Sequence, residues 1–177
     1  MKQTGIVRRI DDLGRIVIPK EIRRTMRIRD GESLEIFIDD NNNIVLKKYS
    51  PMNDFEDFSR KYIDSVYNTV KKNIIVTDRD NIIAVAGPLK KKYLGMQISD
   101  YLENAILRRD NFIERHKKSI ELSQNMEEEG TFAFSPIIVN GDSIGLVLIL
   151  SLDTVLTDIE EKTTQITAQF LGKHIEN

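Results

Sequence analysis

GIVRRIDDLGRIVIPKEIRRTMRI, residues 5–28, decides how the amino-terminal part of this 177-residue chain folds. Residues 5–10 are rich in β-branched side chains and predict a strand. Asp11, Asp12 and Gly14 predict a turn, after which residues 15–18 resume an extended run. Pro19 stands where a helix would begin, because its fixed φ and missing N–H do no harm at the first helical position. Glu21 suits the positive end of that helix. At about 100° per residue, Lys20, Arg23, Arg24 and Arg27 share one arc and Ile22 and Met26 fall opposite, so residues 20–27 read as a short basic amphipathic helix. Asp30 and Gly31 are expected to break it. Residues 34–38 and 44–48 then predict a hairpin around the polar loop 39–43.

Four strands and two helical turns in fifty residues bury too little apolar surface to stand alone without a metal or disulfide. The chain has no cysteine. Self-association is the remaining route, and strands of two chains closing into one barrel would also hide their edges. The formal net charge of −2 conceals segregation. Residues 1–50 carry eleven Lys and Arg against eight Asp and Glu, net +3, while residues 51–177 carry fifteen against twenty, net −5. Between residues 5 and 29 the balance is +5, and seven of the eight cations are arginine, whose planar donors suit phosphate and guanine edges.

Ser50, Pro51, Met52 and Asn53 punctuate the chain, which divides into an amino-terminal domain 1–50, a linker 51–55 and a second domain 56–177. A helical stripe of Phe55, Phe58, Tyr62, Val66 and Val70 follows the boundary. Residues 73–77 and 82–86 predict a hairpin around 78–81, residues 89–107 are helical, and residues 119–123 form a short strand after a polar stretch. Residues 131–139 and 143–150 form the clearest hairpin, turning at Asn140 and Gly141. A last helix, about 158–175, offers Ile159, Ile166, Phe170 and Leu171. The pattern is α+β: an antiparallel sheet with flanking helices.

Residues 4–49 closely resemble the DNA-binding domain of the AbrB family of bacterial transition-state regulators. The likeness is carried by Gly5-Ile6-Val7-Arg8, Leu13-Gly14-Arg15, Ile18-Pro19 and Ile22-Arg23-Arg24, in order and without gaps. It implies a dimeric swapped-hairpin β-barrel and gives Arg8, Arg15, Arg23 and Arg24 a DNA-contacting role, with Arg9, Lys20, Arg27 and Arg29 as secondary contacts. The second half resembles a GAF domain, and the pair together resembles a regulator acting in the developing spore, as activator, repressor or both. The implied partner is double-stranded DNA, with affinity that falls steeply in salt; phosphate contacts by all four arginines of both chains set a log-log slope near about −7 as an upper limit. The stripes on the first and last helices of the second domain are expected to join homodimers into a homotetramer. A GAF-like fold also offers room for a small-molecule effector whose identity the sequence leaves open.

No catalytic residue, metal site or cofactor is expected. The sequence lacks a Gly-x-Ser-x-Gly elbow, a phosphate-binding glycine loop and a His-Glu-x-x-His pair. His116 sits in a polar surface run and His174 in the last helical turn. With no membrane-length apolar run and arginines where a signal peptide is apolar, the protein is expected in the cytoplasm. Two rival readings stand beside the regulator: an antitoxin-type DNA-binding autoregulator, and a metabolite-binding protein whose basic segment only dimerises. Periodic, apolar-rich elements after residue 55 argue against the flexible toxin-gripping tail of the first. Lys47 and Lys48 are read as edge-strand charges that discourage sheet-to-sheet pairing.

Overall fold

Residues 5–49 and 56–176 are described by a computed structural model. The expected linker 51–55, with Ser50 before it and Phe55 at the head of the aromatic stripe, lies outside the described residues, as do Thr4 and Asn177. The chain divides into two compact units, Met1–Tyr49 and Ser50–Asn177.

In the first unit the elements are α1 (Lys20–Thr25), β1 (Leu34–Ile38) and β2 (Ile44–Lys48). β1 and β2 pair antiparallel, with Leu34 opposite Lys48, Ile36 opposite Leu46 and Ile38 opposite Ile44. Directly opposed residues share a face, so Leu34, Ile36, Ile38, Ile44 and Leu46 make one side of the hairpin apolar. The loop is tied by Asp39, whose carboxylate accepts the main-chain N–H groups of Asn41 and Asn43, both at 2.9 Å, and the Asn43 amide at 3.0 Å. Those bonds, the Asn43 amide foremost, hold the Asp39 carboxyl below the usual range.

Two expectations are corrected. Residues 5–10 and 15–18 form no strand within the chain. Asp11 N–H donates to Arg15 O at 3.1 Å and Gly14 N–H to Asp11 O at 3.0 Å, bonds that close the turn without extending a ladder. A strand needs a neighbour, and β1 and β2 already pair with each other. The helix also stops at Thr25, before Asp30 and Gly31. Ile28 N–H reaches Arg23 O at 2.7 Å and Arg27 N–H reaches Arg24 O at 3.2 Å, the paired bonds of a Schellman end. Arg27 holds the left-handed position that glycine usually fills, at φ 51°, so it leaves the basic arc of α1.

The second unit comprises α2 (Glu56–Val70), β3 (Asn73–Thr77), β4 (Ile82–Ala86), α3 (Lys90–Tyr93), α4 (Asp100–Arg108), β5 (Phe112–Ser123), β6 (Met126–Val139), β7 (Asp142–Ser151) and α5 (Asp158–Glu176). One antiparallel sheet runs β4-β3-β7-β6-β5. Successive strand residues point to opposite faces, and both faces are covered. Ile74, Val76 and Ile149 pack with Ile63 of α2 and Ala168 and Leu171 of α5. Ile75, Leu148 and Leu150 pack with Tyr93, Leu102 and Ile106 on the side of α3 and α4. That double burial explains why β3 and β4 are apolar without alternation.

The single helix expected over 89–107 is two, α3 and α4, with Ser99 capping the second by accepting Leu102 N–H at 3.2 Å. β5 begins at Phe112, well before residue 119, and β6 at Met126. The first part of β5 is exposed and charged because it is a sheet edge, where charges discourage further pairing. α5 buries Thr164, Thr167, Ala168, Leu171 and Gly172, while Ile159 and Ile166 stay 69% and 60% exposed. Small residues face the sheet because the helix lies close: a Cβ on Gly172 would stand 2.5 Å from Ile138 O.

Candidate nucleic-acid interface

Among the described residues of the first unit, Pro19 is the only buried one. Val7, Ile10, Val17, Ile36, Ile38 and Ile44 are all more than 60% exposed. Ile6, Ile16, Val17, Pro19, Ile22, Met26 and Leu46 line an apolar trough of about 320 Å³ to which Arg8 also contributes. An isolated two-stranded hairpin is marginal in water, and this one has one bare apolar side.

Around that apolar surface the arginines fall into three groups. Arg8, Arg9, Arg24 and Lys20 are exposed, and no ion pair is seen for any of them among the described residues. Arg15 and Arg23 are each held by an acid. Arg15 Nε donates to Asp11 Oδ2 at 2.8 Å, and its own main-chain N–H donates to Asp11 Oδ1 at 2.8 Å. Those bonds, the main-chain one foremost, hold the Asp11 carboxyl below its ordinary value. Arg23 Nη1, from the last turn of α1, donates to Asp30 Oδ1. Arg27 and Arg29 are half-buried and bound up with the end of β2. Glu32, its side chain only 7% exposed, lies 3.3 Å from Lys48 Nζ and 3.8 Å from Arg29 Nη1, and Lys48 Nζ donates to Arg27 O at 2.9 Å.

Lys48 is therefore a brace between strand and helix end, not an edge guard. Lys47 lies 4.8 Å over the Phe37 ring on the other face of the hairpin. Of the eight expected contacts the structure keeps Arg8, Arg15, Arg24, Arg9 and Lys20 at the surface, ties Arg23 to an acid, and half-buries Arg27 and Arg29. Sequence reading missed Asp11, Asp30 and Glu32 as the acids that organise these cations. Asp11 and Glu32 had a legible signal, their spacing of four and three residues from Arg15 and Arg29; Asp30 had none.

In the second unit, Phe58 and Tyr62 of α2 meet Phe170 and His174 of α5. Phe58 stacks on His174 at a centroid distance of 3.9 Å and Tyr62 on Phe170 at 4.6 Å. The space between sheet and central helices, where the fold would offer room for an effector, is occupied by Tyr93, Ile98, Leu102 and Phe132, all buried. His116 is 96% exposed, with Nδ1 3.4 Å from Glu114. No group of three His, Asp or Glu side chains placed to hold a metal occurs among the described residues, and no described helix is long and apolar enough to cross a membrane.

Fold, site and relatives together define a two-domain transcription factor, an AbrB-type unit followed by an antiparallel sheet with helices on both faces. Residues 54–176 match the family model described as stage V sporulation protein T C-terminal, transcription factor, and residues 7–54 match that of antidote-toxin recognition MazE, bacterial antitoxin. The chain is 46% identical over 177 residues to stage V sporulation protein T of Bacillus subtilis (strain 168), covering 99% of both. It is 59% identical over 51 residues to the transition state regulatory protein AbrB of the same organism, covering 29% of this chain and 52% of that protein. A crystal structure of a methyl-accepting chemotaxis protein, residues 122 to 287, matches with TM-score 0.54 at 13% identity, over 68% of this chain and 87% of that one; the likeness there is of fold alone. The chain belongs to the stage V sporulation protein T family.

Proposed function

We propose that this protein is a cytoplasmic regulator of sporulation genes that binds promoter DNA as an interlocked dimer of its first unit. One observation carries the reading: an amino-terminal unit with a single buried residue among those described, a bare apolar hairpin side and a cationic surface around it. Pairing two such units buries the apolar sides against each other and pools the arginines of both chains on one body. Arg8, Arg15, Arg23 and Arg24 are the contacts, with Arg9 and Lys20 beside them. Arg27 and Arg29 are assigned to bracing the helix end. Helices α2 and α5, with Ile159 and Ile166 exposed beside the ring cluster, join two dimers into a tetramer, which raises duplex affinity through effective concentration. Chemistry is not part of this reading: the second unit acts as an assembly domain and as the place where an effector would act.

Binding of a labelled promoter duplex, followed by fluorescence anisotropy at rising salt, tests this. The wild-type protein should bind tightly at low salt and lose affinity steeply. Arg24→Ala should weaken binding on every sequence and shallow the log-log slope by about 2, one phosphate contact in each of two chains, at unchanged oligomer size. A wild-type protein that ignores duplexes at low salt overturns the proposal. Residues 54–176, matched by the transcription-factor model, set this reading above that of an antitoxin.

A further inference from the structure

The two acid-held arginines are held in different ways. Asp30 takes a terminal nitrogen of Arg23, Nη1, and so occupies one arm of the guanidinium fork. Asp11 takes Nε of Arg15, and neither terminal nitrogen of Arg15 has an acceptor among the described residues. The same Asp11 carboxylate accepts the main-chain N–H of Leu13 at 3.1 Å and of Arg15 at 2.8 Å. Gly14 completes the turn at φ 76°, a conformation that suits glycine. One side chain thus shapes the loop that carries Arg15 and also fixes the plane of its guanidinium. Arg15 remains 70% exposed while held, so the fork is presented outward in one orientation.

We infer that Asp11 is a positioning residue for DNA recognition, a carboxylate that pre-orients the two terminal nitrogens of Arg15 for bidentate contact with a phosphate or a guanine edge. This rests on the reading above that Arg15 touches DNA. An acid beside a DNA surface repels phosphate, so its removal by charge alone strengthens binding. Its removal as a positioner weakens binding, because a long side chain must then be immobilised at the moment of contact. The two roles differ in sign.

The test uses the full chain and a labelled duplex that the wild-type protein selects from a random pool. Asp11→Asn is nearly isosteric and keeps an oxygen for the Leu13 and Arg15 main-chain N–H groups; only the acceptor for Arg15 Nε is lost. Asp11→Asn should weaken binding by about 3- to 10-fold, the cost of ordering one rotamer-rich side chain. The loss should disappear when Arg15 is already Ala, and also when it is Lys, which keeps the charge but has no Nε–H to be held. The Arg15 Nε–H resonance should exchange slowly with solvent in the wild type and rapidly in Asp11→Asn. Equal or tighter binding by Asp11→Asn overturns the inference, as does a loss that persists in the Arg15→Ala background. Failure of the underlying reading shows itself separately: Arg15→Ala would then bind as well as the wild type.

Discussion

The two units of this chain solve the problem of burial in opposite ways. The second sandwiches one sheet between two helical layers and completes its core within the chain: Ile74, Ile75, Val76, Leu148 and Leu150 are all fully buried. The first has comparable apolar residues and leaves them outside. Ile36 is 68% and Ile38 75% exposed, on strands that would be half-buried in any sheet with a second layer. The difference teaches that an exposed apolar side chain has no fixed meaning. In the second unit Leu107, 61% exposed, sits at the end of a helix whose other face is packed, and scattered surface apolar residues are ordinary. In the first unit the exposed residues are contiguous and line one hairpin side and one trough, which marks a surface awaiting a partner.

The largest effect should therefore come from placing a charge on each. Ile36→Asp loses the burial of one side chain in each chain of a dimer, roughly 3 kcal/mol apiece, and puts a carboxylate in the same place. It should abolish association through the first unit and lower DNA affinity by at least about 100-fold. Leu107→Asp, at a site of similar exposure, should change neither. Light scattering and anisotropy on the two variants decide the matter, and an Ile36→Asp protein that associates and binds like the wild type ends the comparison.

Legibility in the sequence follows the same division. The hairpin 34–38 and 44–48 was readable to the residue because its pairing is local and its loop is polar. The strands expected at 5–10 and 15–18 are not realised within one chain, since the β-branched character is local and legible while a ladder needs a neighbour that β1 and β2, paired with each other, do not supply. In the second unit, residues 112–118 hid an edge strand because exposure on that edge selects Glu114, Arg115, His116 and Lys117, which look like a loop. On α5 the large residues Ile159 and Ile166 drew attention away from the buried face, where close approach to β6 selects threonine, alanine and glycine. For the arginines, type and spacing pointed to the surface as a whole. Arg15 with Asp11 and Arg29 with Glu32 lie at local spacings, whereas Arg23 with Asp30 and Lys48 with Glu32 are contacts across seven or more residues and leave no periodic trace.

A smaller effect separates the units by stability. Gly172→Ala places a methyl group against Ile138 O, at 2.5 Å before any relaxation. Overpacking of this kind costs about 1–3 kcal/mol, and it should fall entirely on the second unit. Thermal unfolding should show one transition moved down, and hydrogen exchange should speed up in α5 and β6 with the first unit unchanged. Duplex binding by the folded variant in the cold should stay near wild type. A first unit that loses protection together with α5 would mean that the two cores are coupled after all.

The smallest effect expected is none, and it is informative because of where the histidines lie. His116 and His174 both belong to the second unit, and histidine is the side chain that ordinarily changes charge near neutrality. The first unit's ordering carboxylate, Asp11, is held below its ordinary value of 3.8, chiefly by the Arg15 main-chain N–H. For a group whose pKa is depressed on folding, the contribution is complete above the ordinary value and is lost only as pH falls through the lower one. The Asp11–Arg15 contact should then be intact at every neutral pH, and the affinity ratio of wild type to Asp11→Asn should stay flat from about pH 5.5 to 8. His174 stacks on Phe58 where α2 meets α5, inside the second unit, and oligomer size is to be followed alongside. A ratio that moves within that window, with oligomer size constant, would place a titrating group in the DNA surface itself, where the ionisable side chains are carboxylates, lysines, arginines and Tyr49.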